Sequence, residues 1–227
     1  MRLETGWSDL PSDGRTCVAF RARPAATGER LPGILLIQEI WGVDDHIQDL
    51  TGRVATAGYV ALAPDLYSLG GLPAALQPPR VAAVNTFLNS LPVATWWNEG
   101  ARQEALAGLA TGERTTVAET LGALFAPRDR GALVAPLRDA FAALRDDPAC
   151  NGRVAAVGWC MGGGLSARLA CAEKMKAAGK DYEPHIYPDA PHAFFNDTRP
   201  SFTVNAARDA WARLLTFFAG LPARSPR

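Results

Sequence analysis

The sequence predicts an α/β fold in which helices cover both faces of a mostly parallel sheet, a three-layer sandwich. Three observations carry this. Residues 33–37, Gly-Ile-Leu-Leu-Ile, are continuously apolar, as a strand covered on both faces must be. A helical pattern and a second apolar strand follow directly, and strand-helix-strand alternation is the signature of parallel crossover units. A third apolar strand, 153–159, runs into a glycine-rich turn and then a helix, 163–172.

Residues 16–21 form a β-prone stretch, separated from the strand at 33–39 by a Pro/Gly-bearing turn. Asp44 or Asp45 can cap a helix in which Ile47, Leu50 and Val54 recur at helical spacing, and Gly58 stops it. Residues 59–63 are the next strand. Leu133, Leu137, Phe141 and Leu144 mark a helix before the turn 147–152 and the strand 153–159. The last helix, 203–218, places Val204, Ala207, Trp211, Leu214 and Phe218 on one face. Residues 70–130 carry prolines, Trp96-Trp97 and helix-like runs at 104–109 and 117–125, an insertion or cap over the sheet, with the tryptophans as packing.

With 227 residues, 48% hydrophobic, the chain can bury a sizeable core as a single domain, 1–227. Basic and acidic residues balance at 23 each, so no basic face for nucleic acid or anionic membrane is advertised, and a neutral or small-molecule partner is expected. The first residues lack an apolar signal segment and no later run has membrane-spanning length, so a soluble, cytoplasmic protein is expected, a monomer or homodimer. Cys17, Cys150, Cys160 and Cys171 have neither C-x-x-C nor zinc-ligand spacing. Thiols are expected, without metal or cofactor.

Chemistry concentrates at Gly158-Trp159-Cys160-Met161-Gly162, a G-x-C-x-G between strand and helix. This is the nucleophile-elbow pattern with cysteine for serine: the turn is too tight for side chains at the glycines, and the central residue is pushed out at the sheet edge. At a helix N-terminus, Cys160 gains thiolate character. A buried structural cysteine is the plainer alternative, which fits Cys17, Cys150 and Cys171 better. A thiolate needs a proton carrier, and three histidines exist. His46 falls on an amphipathic helix beside Asp44 and Asp45 and is expected at the surface. His185 falls in the strand-like 183–187, and His192 in the loop before the last helix, where a catalytic base belongs. Glu39 ends an apolar strand at the same sheet edge, costly unless solvated or partnered. Asp65 reads as a turn or cap residue.

Gln38-Glu39-Ile40-Trp41-Gly42, Pro64-Asp65-Leu66-Tyr67, the Cys160 elbow and Pro191-His192-Ala193-Phe194 together resemble the dienelactone hydrolase family of the α/β-hydrolase superfamily. The resemblance implies an α/β-hydrolase fold and cleavage of a small ester or lactone through a thioester, a carboxymethylenebutenolidase-like reaction. It also implies that Cys160 attacks, His192 shuttles protons and Glu39 helps generate the thiolate. The backbone N–H groups of Ile40 and Met161 would form the oxyanion hole.

The chain departs from the family after the elbow helix, where the strands and loop bearing the triad aspartate are absent; Cys160 and His192 are only 32 positions apart. Glu173, Asp181, Glu183 and Asp189 lie in that interval, none placed as an orienting acid, so the triad acid is unassigned. Arg80, Arg102 and Arg114 all fall in the divergent insertion, and the family's substrate-binding arginine is likewise unassigned. Without the acid, an impaired or inactive relic acting as a binding protein is the alternative. A glutamine amidotransferase would want a carboxylate where Phe194 stands, and a thiol redox protein an adjacent resolving cysteine.

Overall fold

The computed structural model describes residues 1–25, 28–129, 131–172, 185 and 187–221. Strands β1 (Leu3–Ser12) and β2 (Arg15–Pro24) form an antiparallel hairpin. Its turn is Asp13-Gly14, both at positive φ, 48° and 70°, the two-residue geometry that follows strand twist. β1 escapes sequence reading because residues 4–9 are all exposed and show no alternation; the Asp-Gly pair was its one signal.

Strand β3 (Leu31–Ile37) runs parallel to β4 (Val60–Asp65) on one side and β5 (Cys150–Gly158) on the other, while β2 pairs antiparallel with β4. The order is β1-β2-β4-β3-β5. The sheet is therefore mixed, a parallel core with an antiparallel hairpin, because a two-residue turn can only return the chain antiparallel. Helix α1 (Asp45–Thr56) makes the β3-to-β4 crossover; the Asp44 carboxylate accepts from the Ile47 N–H at 3.1 Å, and Gly58 leaves the helix at φ 97°.

Alternation along the strands builds two cores. Ile34, Leu36, Ala61 and Ala63 face α1 and α7 (Val204–Ala219). Leu35, Ile37, Val60 and Leu62 face α5 (Val134–Asp146) and α6 (Met161–Ala172). These are the three expected layers. On α7, Ala207 and Phe218 are buried, but Val204, expected on that face, is exposed.

Helices α2 (Pro78–Asn89), α3 (Glu99–Ala107) and α4 (Thr111–Phe125) form a third apolar cluster around Trp41 and Tyr67. The sequence analysis does not find α2, which opens on Pro78-Pro79; proline is tolerated in the first helical turn, where the N–H has no partner in any case. Trp96 packs in this cluster and donates to the Leu88 carbonyl at 2.7 Å. The side chains of Trp97 and Cys171 lie outside the described residues, as do Glu173, Asp181, Glu183 and most of the expected strand 183–187. Among the described residues no helix is long and apolar enough to cross a membrane.

Leu36 is fully buried in β3, so Leu36→Ala is expected to cost about 2–5 kcal/mol. The measurement is the chemical-denaturation midpoint at unchanged slope; a shift under 1 kcal/mol, roughly the cost of a conservative core swap, would place Leu36 outside the core.

Candidate active site

The parallel strands β3 and β5 end side by side, with Ile37 opposite Gly158, and the site lies just beyond those ends. After Gly158 the chain reverses through Trp159 and Cys160 into α6. Cys160 sits at φ 55°, left-handed backbone that a non-glycine residue adopts only when its surroundings impose it. The cause is close packing. A Cβ on Gly162 would lie 2.2 Å from the Ile37 carbonyl oxygen, and one on Gly158 would lie 2.4 Å from the Gly162 backbone. Both glycines of the motif are thus required by contact, and the Cys160 side chain is thrown outward, half-exposed at the first turn of α6.

Beyond β3, Glu39 is only 3% exposed and makes an isolated bridge with Gly42, which turns the chain at φ 81°. The Asn196 amide donates to Glu39 Oε2 at 2.9 Å. Burial pushes the Glu39 carboxyl above the usual carboxylate range, while the Asn196 bond and nearby Arg199 pull the other way and Asp44 adds to the rise. Ile40 and Met161, whose backbone N–H groups the sequence analysis singled out, stand at the two chain turns: Ile40 directly follows Glu39, and its carbonyl accepts from the Tyr67 hydroxyl at 2.8 Å, while Met161 opens α6. Asp65 behaves as the expected turn residue, its carboxylate accepting from the Tyr67 N–H at 3.0 Å.

A cavity of about 280 Å³ opens here, lined by Glu39, His46, Cys160, His192, Phe194 and Asn196 among others. The structure thus gathers the three side chains singled out in the sequence, Cys160, His192 and Glu39. His192 is exposed, in a loop of successive turns closed by Phe194 N–H to the Pro191 carbonyl and Asn196 N–H to the Ala193 carbonyl. Ala193 takes φ 66°. His185 stands apart, edge-on to the Tyr187 ring and 3.7 Å from Asp209.

His46 overturns its expectation. It is 5% exposed and forms a wall of the cavity, because the 195–199 loop folds onto the start of α1 and brings Asp197 to 3.5 Å from its Nδ1. No local pattern signals this, since the covering loop lies 150 residues away.

Arg199 is a buried arginine of the same loop that sequence reading did not single out. It is 5% exposed, its guanidinium donates to Asn89 Oδ1 at 3.1 Å and Asn85 Oδ1 at 2.6 Å, and it stacks over Trp41 at 4.3 Å and Trp96 at 5.4 Å. Its charge acts on Glu39, Asp44 and Cys160. Arg80 instead binds Glu119 and Thr120 between α2 and α4, and Arg102 stacks on Phe125. Arg114 lines a separate surface cleft between α3 and α4. Among the described residues no cluster of three or more His, Cys, Asp or Glu could hold a metal ion.

The raised carboxyl of Glu39 has a consequence for stability. The folded state binds its proton more tightly than the unfolded chain does, so the contribution of Glu39 to stability falls as pH rises through and above the unfolded value. Glu39→Gln, neutral throughout, is expected to raise the melting temperature more at pH 8 than at pH 4. An equal change at both would show that the buried charge carries no penalty.

This geometry agrees with what the chain is similar to. A family model described as "Dienelactone hydrolase family" matches residues 18–172 and again 168–221. The match breaks near the end of α6, where the sequence analysis places the missing segment. A Salmonella typhi protein named "Putative carboxymethylenebutenolidase" is 31% identical over 249 aligned positions, covering 96% of this chain and 87% of the relative. That span exceeds the 227 residues here, so part of the relative has no counterpart. Two solved structures share the fold. One, titled "Putative Dienelactone Hydrolase" from Klebsiella pneumoniae, has a TM-score of 0.65 at 21% identity, covering 97% of this chain and 100% of that one. The other, a dienelactone hydrolase-like promiscuous phosphotriesterase from metagenomic libraries, has a TM-score of 0.63 at 15% identity, covering 97% and 99%. The family match spans most of the sheet, the elbow and the loop of His192, and on that extent the chain belongs to the dienelactone hydrolase family.

Proposed function

We propose that this hydrolase cleaves a small ester or lactone, carboxymethylenebutenolidase-like, through a thioester on Cys160. The observation that carries the reading is Cys160 at φ 55° in one cavity with Glu39 and His192. A residue is held in left-handed backbone when the surrounding structure enforces it, and at a sheet edge that enforcement presents the thiol to a bound carbonyl.

In the resting site Glu39 withdraws the thiol proton. Its raised affinity for a proton narrows the gap between carboxyl and thiol, so the transfer is less uphill than to an ordinary carboxylate. The thiolate sulfur attacks the carbonyl carbon and the electron pair moves onto the carbonyl oxygen, which the backbone N–H groups of Ile40 and Met161 receive. The proton passes from the Glu39 carboxyl to His192, the C–O bond breaks, and the imidazolium delivers that proton to the leaving oxygen. A water molecule cleaves the C–S bond, one of its protons returning to the sulfur. Nothing in the sequence is assigned to orient His192, which a thiol tolerates better than a hydroxyl because it ionises far more readily. A cavity of about 280 Å³ admits only a small substrate, and the chemistry as written asks for neither metal nor cofactor.

With a small activated ester, Cys160→Ala and His192→Ala are each expected to lower turnover by about 10³-fold or more, and intact mass should reveal an acyl adduct in the unsubstituted protein. No turnover by a folded protein whose Cys160 still alkylates would favour the binding-protein alternative.

A further inference from the structure

Among the described residues that line the cavity, His46 is a buried polar group that the thioester reading leaves without a task. Its Nδ1 is buried with no hydrogen-bond partner, 3.5 Å from Asp197 Oδ1. An unsatisfied buried nitrogen is destabilising, and an apolar side chain would fill the same space without that cost. Asp197 is held in turn by Arg53, whose guanidinium reaches Asp197 Oδ2 at 2.5 Å. Carboxylate and imidazole therefore stand together at a cavity wall, 3.5 Å apart and short of a hydrogen bond, a pairing that orients a general base once it tightens.

We propose that His46, positioned by Asp197, is the base that activates water for thioester hydrolysis. The proposal rests on the Cys160 reading and completes it. Nδ1 lies beside Asp197 and His46 lines the cavity, so the assignment gives Nε2 to the water. It takes a proton from water as the oxygen attacks the thioester carbonyl carbon. The C–S bond breaks, its electron pair leaves with Cys160 sulfur, and the imidazolium returns the proton to that sulfur, while the acid product departs. Labour is then divided: exposed His192 serves the leaving oxygen during acylation, and buried His46 serves water during deacylation. The charged groups facing His46 are Asp44, Asp49 and Arg53 from α1 and its approach, and Asp197 from the loop, with Glu39 elsewhere on the cavity wall. Burial disfavours the protonated ring, which keeps the imidazole neutral and ready to accept.

The test follows product burst and intact mass with 4-nitrophenyl acetate, on the unsubstituted protein and on His46→Gln, Asp197→Asn and Cys160→Ala, each checked by thermal melting. In His46→Gln the burst of one nitrophenolate per chain is expected to persist, deacylation to fall about 10²-fold, and an acetyl adduct on Cys160 to accumulate. In Asp197→Asn the acid limb of the deacylation pH profile is expected to move to lower pH, because the carboxylate supports the protonated ring; a purely structural role would not move it. Deacylation unchanged in a folded His46→Gln, or acylation falling in step with it, would overturn the assignment. If His46→Gln does not fold, an unmoved acid limb in Asp197→Asn overturns it instead. Turnover persisting in Cys160→Ala would bring down the thioester reading and this assignment together, whereas a Cys160 adduct cleared normally by His46→Gln would bring down this assignment alone.

Discussion

A carboxyl just beyond the end of β3, with 3% of its surface in water, has to be satisfied from inside the protein, and much of the site is arranged by that need. Burying a carboxylate costs several kcal/mol unless hydrogen bonds and an opposite charge offset it. Asn196 supplies the hydrogen bond to Glu39 and Arg199 the charge. Both come from the loop after His192, so meeting Glu39's requirement also fixes the path of that loop. Asn196 spends its other end on Thr198, whose N–H and hydroxyl both donate to it. Arg199, itself buried, is held by two asparagines of α2 and two indole faces, which couples the inserted helices to the same carboxyl. A guanidinium desolvated against tryptophan gains about 2 kcal/mol from the ring.

The elbow is the second constraint, and it is steric rather than electrostatic. β3 and β5 are parallel neighbours, so their ends deliver Glu39 and Cys160 to the same edge of the sheet, where ligand crevices of α/β folds lie. The first turn of α6 must then pass against the Ile37 and Gln38 carbonyls, which only the missing Cβ of Gly162 permits. The position of Cys160 is thus set by backbone packing, largely independent of the loop that carries the histidine.

Those two constraints bear on how a shortened member of the family keeps a cavity at all. The family match divides at the end of α6, yet the loop 187–203 closes on itself through short turns and on the sheet through Asn196. The same closure presses Asp197 against α1 and buries His46. A histidine on the outer face of an isolated helix becomes a wall of the site because a distant loop covers it.

What the sequence determined by itself was whatever local backbone chemistry dictates. Continuous apolar runs gave β3 and β4, a 3.6-residue period gave α1, α5 and α7, and the two glycines around Cys160 announced an elbow before any contact was known. Cys160, His192 and Glu39 could be singled out because each sits at a recognisable strand end, turn or loop. The tertiary structure alone decided which groups surround them. Asn196, Arg199 and Asp197 act across gaps of about 150 residues in sequence, and a polar residue in a loop looks the same whether it faces water or a buried carboxylate. The exposed strand β1 and the helix α2 were hidden for a related reason. β1 draws its stability from pairing with β2 rather than from a buried face of its own, and α2 from packing in the cluster of inserted helices. Pattern reading detects amphipathic burial, and these elements and partners owe their places to contacts that only the folded chain creates.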